Sequence, residues 1–186
     1  MFLLPPLLFF TLLVLVALII TTIFFFLFSV RDKIIIDVPF VPVRKRAVIQ
    51  IVNALHLSQG SILYDLGCGD GRVLIEAVRR TSEISGVGIE NGIIPFLVAT
   101  MRTRKLSIGI HYENIFDANI TQATHLFCYL SPQVLKKLAP KILRECRAGT
   151  QIVSCDYKFP NWIPIDTISI ATKDDQLARM LYVYVI

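Results

Sequence analysis

The chain has 186 residues, 54% of them hydrophobic, and a formal net charge of +5. That charge lies wholly beyond residue 30 and is modest and scattered, which speaks against nucleic-acid binding and suits a solvated surface near a membrane. The four cysteines, Cys68, Cys128, Cys146 and Cys155, form no C-x-x-C pair, and no histidine stands at ligand spacing, so no metal site is expected.

Residues 1–30 contain no Asp, Glu, Lys, Arg or His. A membrane span needs about 20 apolar residues, and this run exceeds that. A secretory signal would have a charged start, a shorter apolar centre and a small-residue cleavage site. The run starts Met1-Phe2-Leu3-Leu4 and ends rich in Phe, so it reads as a retained anchor. Arg31 and Lys33 follow it at once, with Arg44, Lys45 and Arg46 soon after. Cations flanking a span stay on the cytoplasmic side. The expectation is a single-pass membrane protein: a transmembrane helix over 1–30, a juxtamembrane linker over 31–43, and a cytoplasmic domain over 44–186.

Pro39 and Pro42 hold Asp37 to Val43 extended. Arg44 to Leu55 carries Val48, Ile49, Ile51, Val52 and Leu55 at helical spacing. Ser61 to Leu66 reads as a strand, Gly67 to Gly71 as a tight loop, and Arg72 to Arg80 as a helix. Strand Ser85 to Ile89 ends at Glu90. Helix Ile93 to Arg104, strands Ser107 to Tyr112 and Thr124 to Leu130, helix Pro132 to Glu145 and strand Thr150 to Cys155 follow. Thr167 to Thr172 and Met180 to Ile186 have no helix between them and read as an antiparallel pair. The alternation predicts an α/β fold: a doubly wound, mostly parallel seven-stranded sheet preceded by one transmembrane helix. Cys128 and Cys155 fall on buried strands as small core residues. His111 and His125 read as strand residues rather than bases.

The chemistry centres on Tyr64-Asp65-Leu66-Gly67-Cys68-Gly69-Asp70-Gly71-Arg72, a strand entering a glycine loop that opens a helix. A dinucleotide site needs G-x-G-x-x-G, and the third position here is Arg72; a P-loop needs G-x-x-x-x-G-K-[ST], which is absent. S-adenosylmethionine has no phosphate and asks for other things. It needs backbone close to its methionine part, a carboxylate for the ribose diol, and a partner for the adenine edge. Glu90 ends the second strand, where a charged acceptor suits the diol. Asn114 and Ile115, just past the third strand, suit the adenine, and Asp65 suits the methionine ammonium. Asp70 is most simply a helix cap or turn residue. The candidate cofactor residues are Tyr64, Asp65, Gly67, Cys68, Gly69, Glu90, Asn114 and Ile115, and the cofactor expected is S-adenosyl-L-methionine.

The loop, with Gly88-Ile89-Glu90 downstream, resembles the first two motifs of class I methyltransferases. Val41-Pro42 before a helix, Tyr129-Leu130-Ser131-Pro132 after the fourth strand, and Phe159-Pro160-Asn161-Trp162 after the fifth are similar to a narrower group. That group comprises the ATP synthase c-subunit lysine methyltransferases and small archaeal protein-lysine methyltransferases. The resemblance spans roughly residues 38–165 and implies a protein-lysine acceptor. Methyl transfer to an amine rests on alignment and on desolvation, which lowers the lysine pKa. Tyr129, Phe40 and Trp162 are candidate pocket walls and Asn161 a candidate amine acceptor. The partner expected is a membrane-associated protein substrate, with no nucleic acid and no metal. A small-molecule or lipid methyltransferase, or a non-catalytic S-adenosylmethionine-binding module, stands as the alternative. No Asn-Pro-Pro-Tyr element of enzymes that methylate adenine or glutamine is present.

Overall fold

A computed structural model describes residues 6–34, 43–171 and 178–186, with side chains of the first helix described over 8–25. The chain forms two units, Met1–Pro39 and Phe40–Ile186.

The first unit holds helix α1, Pro6–Ile34. Proline suits a first helical turn, where its missing N–H costs nothing. Leu8–Phe25 is long and apolar enough to cross a membrane, and none of it is buried in the protein. The polar hydroxyls along it are satisfied internally: Thr11 donates to the Leu8 carbonyl and Thr21 to the Ala17 carbonyl, each at 2.9 Å. Such back-bonding suits a medium without water. The helix runs past residue 30, through Arg31, Asp32 and Lys33, because no Gly or Pro interrupts its ladder there.

The second unit alternates strand and helix: α2 (Lys45–Ala54), β1 (Ile62–Leu66), α3 (Arg72–Arg80), β2 (Ser85–Glu90), α4 (Ile93–Thr103), β3 (Ile108–Tyr112), β4 (His125–Cys128), α5 (Pro132–Glu145), β5 (Gln151–Cys155), β6 (Asp166–Ser169) and β7 (Met180–Val185). The sheet order is β3-β2-β1-β4-β5-β7-β6. β1 to β5 pair in parallel, while β7 runs antiparallel between β5 and β6. The doubly wound, mostly parallel seven-stranded sheet and the terminal antiparallel pair are as expected from sequence.

Chirality then places the layers. Crossovers β1–α3–β2 and β2–α4–β3 step one way across the sheet, and β4–α5–β5 steps the other. Right-handed crossovers in opposite directions put α5 on the face opposite α3 and α4. On the α3 face Ile51, Leu55, Leu63, Leu74, Val153 and Leu181 form a continuous core. On the other, Leu126, Leu135, Leu138, Ile142 and Ile152 are fully buried. Cys128 and Cys155 are buried core residues, as read from sequence.

Strand order reverses between β1 and β4, which leaves a crevice at their carboxyl ends. β4 stops at Cys128 rather than continuing to Leu130, so residues 129–131 leave the sheet at that crevice. β3 and β4 are joined without a helix through turns at Asn114 and Asn119. Of the stretch expected to be extended, Asp37 to Val43, all but buried Val43 lies outside the described residues.

Candidate active site

The loop after β1 is shaped by its own hydrogen bonds. The amides of Gly67 and Cys68 both donate to the Ile89 carbonyl, at 2.9 and 3.1 Å, which docks the loop on the end of β2. Gly67, Gly69 and Gly71 have φ of 82°, 57° and 76°, a region costly for side chains with a Cβ. Gly71 caps α3, and Asp70 accepts the Arg72 amide at 3.3 Å and the Arg72 guanidinium at 2.8 and 2.7 Å. Burial alone would raise the Asp70 carboxyl, but hydrogen bonds and charge from Arg72, with Arg102, hold it below its ordinary value. Asp70 is thus a turn and cap residue, clamped by two arginines.

Glu90 closes the loop from β2. Its Oε2 accepts the Gly69 amide at 2.8 Å, and its Oε1 accepts the Gly92 amide at 2.7 Å. A carboxylate offers about four acceptor sites, so two remain for a donor pair such as a ribose diol. Gly88, two residues earlier, has no room for a Cβ: one would lie 2.7 Å from Cys68 Sγ and 2.7 Å from Ile110 Cδ1. The Cys68 side chain therefore packs under the loop in the core, its thiol pushed up by burial and by Asp65 and Glu90.

Asp65 is the unusual group. It is 2% exposed, yet no hydrogen bond reaches its carboxylate among the described residues. Burial, then Glu90 and Asp70, push its pKa well above the ordinary value. Among the described residues no fully buried side-chain oxygen lacks a partner, so the Asp65 oxygens keep contact with the crevice, where a ligand ammonium would favour their charged form. Lack of phosphate-binding equipment, an acid beside Glu90 whose pKa burial raises, and a glycine cradle fit S-adenosylmethionine.

The loop after β4 approaches the glycine loop: a Cβ on Gly67 would meet Leu130 Cδ2 at 3.2 Å. Tyr129, beside Leu130, donates its hydroxyl to Asp156 Oδ2 at 2.8 Å. Burial, the hydrogen bond to Asp156 and its charge raise the phenol pKa, so Tyr129 stays neutral. Asp156, with φ 62°, also accepts the amides of Ala178 (2.7 Å), Arg179 (2.6 Å) and Met180 (3.2 Å). It thereby joins the ends of β4, β5 and β7. Sequence reading passed over it, although an acid directly after a strand at this edge was the signal that marked Glu90.

The remaining candidates scatter. Tyr64 alternates to the face opposite Asp65, beside Leu126, and is buried there. Asn114 sits at the carboxyl edge, two residues past Tyr112, with its Oδ1 accepting the Phe116 amide at 3.0 Å. Its side-chain NH2 is left to donate, with half-buried Ile115 next to it. Trp162 stacks on buried Phe159 at 4.5 Å and meets Tyr184 edge-on at 5.7 Å. Tyr184 pairs with Ile152 near the amino end of β5, which sets Trp162 toward the opposite edge of the sheet. With no helix between β5 and β6, these aromatics cover that face. Asn161 is exposed, with φ 65°, on the same turn. The structure thus sets Leu130, the neighbour of Tyr129, against the glycine loop but not Trp162 or Asn161; Phe40 lies outside the described residues. His125 opens β4 at the far edge, and His111 is exposed on β3.

The family model for the ANTKMT methyltransferase domain matches residues 65–166. A protein-lysine N-methyltransferase of Saccharolobus islandicus (strain REY15A) is 31% identical over 153 residues, spanning 80% of this chain and 94% of that protein. The human ATP synthase c-subunit lysine N-methyltransferase is 29% identical over 132 residues, 68% of this chain but 54% of that protein, so the chain spans about half its length. Among solved structures, an RNA methyltransferase from Salinibacter ruber in complex with S-adenosyl-L-homocysteine superposes with TM-score 0.71 and 30% identity, covering 78% of this chain and 94% of that one. The matched region opens at Asp65 and takes in Glu90 and Tyr129, and the chain belongs to the ANTKMT methyltransferase-domain family, as an S-adenosylmethionine-dependent methyltransferase.

Proposed function

We propose that this chain is a protein-lysine N-methyltransferase, anchored by α1 with its catalytic unit on the cytoplasmic side, acting on a lysine of a membrane-associated protein. The observation that carries the reading is the closed loop: Gly69 bound to Glu90, with Asp65 buried beside it and its pKa held well above the ordinary value. The lysine acceptor is supported by the names of the archaeal and human relatives. The membrane location is supported by Leu8–Phe25 and by the cations that follow it.

When bound, S-adenosylmethionine supplies a methyl group on a sulfonium, open to in-line attack by an amine. Glu90 would hold the ribose hydroxyls on its two remaining acceptor sites, Asp65 would neutralise the ammonium, and the Asn114 amide and Ile115 would hold the adenine. Tyr129, fixed by Asp156, walls the acceptor channel between the loops after β1 and β4. Its neutral phenol and the apolar Leu130 keep that channel dry, which lowers the pKa of an entering lysine and favours the neutral amine. Aligning that amine about 3 Å from the methyl is the protein's main contribution to rate.

Tritiated-methyl transfer into membranes lacking the endogenous enzyme tests this, with Glu90→Ala as control. Label recovered as methyllysine in a membrane protein is the expected result. Label extracted into organic solvent would instead mark a lipid acceptor, and label in RNA a nucleic-acid one. Cofactor binding without transfer would mark a binding module.

A further inference from the structure

Helix α4 does not hide its apolar residues. Ile93, Ile94, Leu97, Val98 and Met101 are all exposed, Ile94 at 72% and Met101 at 74%. The helix is held to the domain by its other side. Ala99 and Thr103 are buried against Gly71, Arg102 bonds Asp70, and Phe96 packs on Tyr112 at 5.3 Å between centroids. Singly exposed apolar residues are ordinary, but a contiguous patch on one helix face marks a contact surface.

Charge identifies the occupant. From Asn91 to Tyr112 the sequence contains no Asp or Glu, while Arg102, Arg104 and Lys105 cluster at the end of the helix. Positions 94, 97, 98 and 101 form one stripe, and continuing it by helical spacing reaches Arg104 and Lys105, both exposed. An apolar stripe ending in long cations that can reach headgroups is the pattern of a helix lying in a membrane interface. A protein partner would ask for complementary polar groups along the stripe, and the stripe offers none.

We infer that the exposed face of α4 rests in the anionic surface of the membrane that α1 spans. This rests on the membrane location proposed above and adds a second, peripheral contact to it. α4 begins directly after Glu90 and Gly92, so seating it in the interface brings the open edge of the cofactor site to headgroup level, where a lysine beside a span would lie. The basic end adds attraction that falls with salt.

The full chain, reconstituted in phosphatidylcholine–phosphatidylglycerol vesicles, carries an environment-sensitive fluorophore at Ile94→Cys, or at Lys136→Cys on α5 as control. Doxyl-labelled lipid is then titrated in. Flotation of the labelled chain checks anchoring separately, so failure of the span and failure of the α4 contact read differently. The expected result is loss of most emission from position 94, at roughly 5–10 Å depth, with position 136 unaffected. Adding Leu97→Glu and Met101→Glu should abolish the quenching while flotation persists. Equal quenching at both positions, none at position 94 in floated protein, or shielding of position 94 that tracks protein concentration rather than lipid would each overturn the proposal.

Discussion

Tyr129 and Asp156 share a hydrogen bond of 2.8 Å that ties the end of β4 to the residue after β5. Asp156→Ala removes that acceptor and the anchor of the Ala178 and Arg179 amides, and puts alanine at φ 62°. Charge-assisted bonds contribute about 1.5–3 kcal/mol each and the left-handed backbone costs about 1–2 kcal/mol, so thermal melts should show a marked loss of stability. Tyr129→Phe is milder. We expect binding of S-adenosylhomocysteine unchanged by calorimetry and methyl transfer slowed about tenfold, the equivalent of one such bond. Equal transfer rates in wild type and Tyr129→Phe would remove Tyr129 from the acceptor channel.

Glu90 tests the proposed cofactor site, because the carboxylate that holds Gly69 and Gly92 is the one proposed to take the ribose. Glu90→Ala frees two backbone amides and leaves the diol without a charged acceptor. Glu90→Gln turns one acceptor into a donor facing an amide. Both should weaken S-adenosylhomocysteine binding by on the order of 100-fold. Retained affinity in isothermal titration would show that the ribose lies elsewhere.

Asp65 gives a pH signature. Its folded pKa is raised, so the native state holds a proton that the unfolded chain has released. Stability therefore falls as pH rises from the ordinary carboxylate range through the raised value, and Asp65→Asn should flatten that part of the profile. An ammonium placed beside Asp65 lowers its pKa again, so cofactor binding at mildly acidic pH should release protons. Calorimetric heats should then differ between buffers of unlike ionisation enthalpy. In Asp65→Asn that difference should vanish; its persistence would assign the proton to another group.

Gly88→Ala probes packing beneath the loop. The new Cβ meets Cys68 Sγ and Ile110 Cδ1 at 2.7 Å and Leu74 Cδ1 at 3.0 Å. Overpacking of this kind costs about 1–3 kcal/mol, which should appear as a lowered melting temperature. Pairing it with Cys68→Ala should recover part of the loss, since the sulfur is one of the two nearest atoms.

The sheet was legible because each strand and helix carries its own period. Helices Arg72–Arg80 and Pro132–Glu145 match expectation to the residue: Gly71 and Pro132 fix their starts by local backbone chemistry. The place of Glu90 at the end of β2 was legible from the same pattern. What the sequence hid depends on contacts distant in the chain. Asp156 earns its role from Tyr129, 27 residues away, and from amides more than 20 residues on. Trp162 was a candidate pocket wall as an aromatic in the Phe159-Pro160-Asn161-Trp162 element that resembles the lysine methyltransferases. The pairing of β7 with β5, and the place of Tyr184 within it, decide instead where that ring rests. Exposure of α4 was equally hidden, since an apolar helix between two strands reads as core.

The position of β7 also constrains biosynthesis. β6 is made before β7, yet β7 is inserted between β5 and β6, and β6 pairs with β7 alone in the sheet. On the ribosome β5 is therefore left with a bare edge, and β6 with no neighbour, until Met180–Val185 has emerged. The sheet is sealed late, so the nascent domain stays open until then. Lesions that delay or delete this strand should show as aggregation rather than as a stable enzyme with reduced turnover.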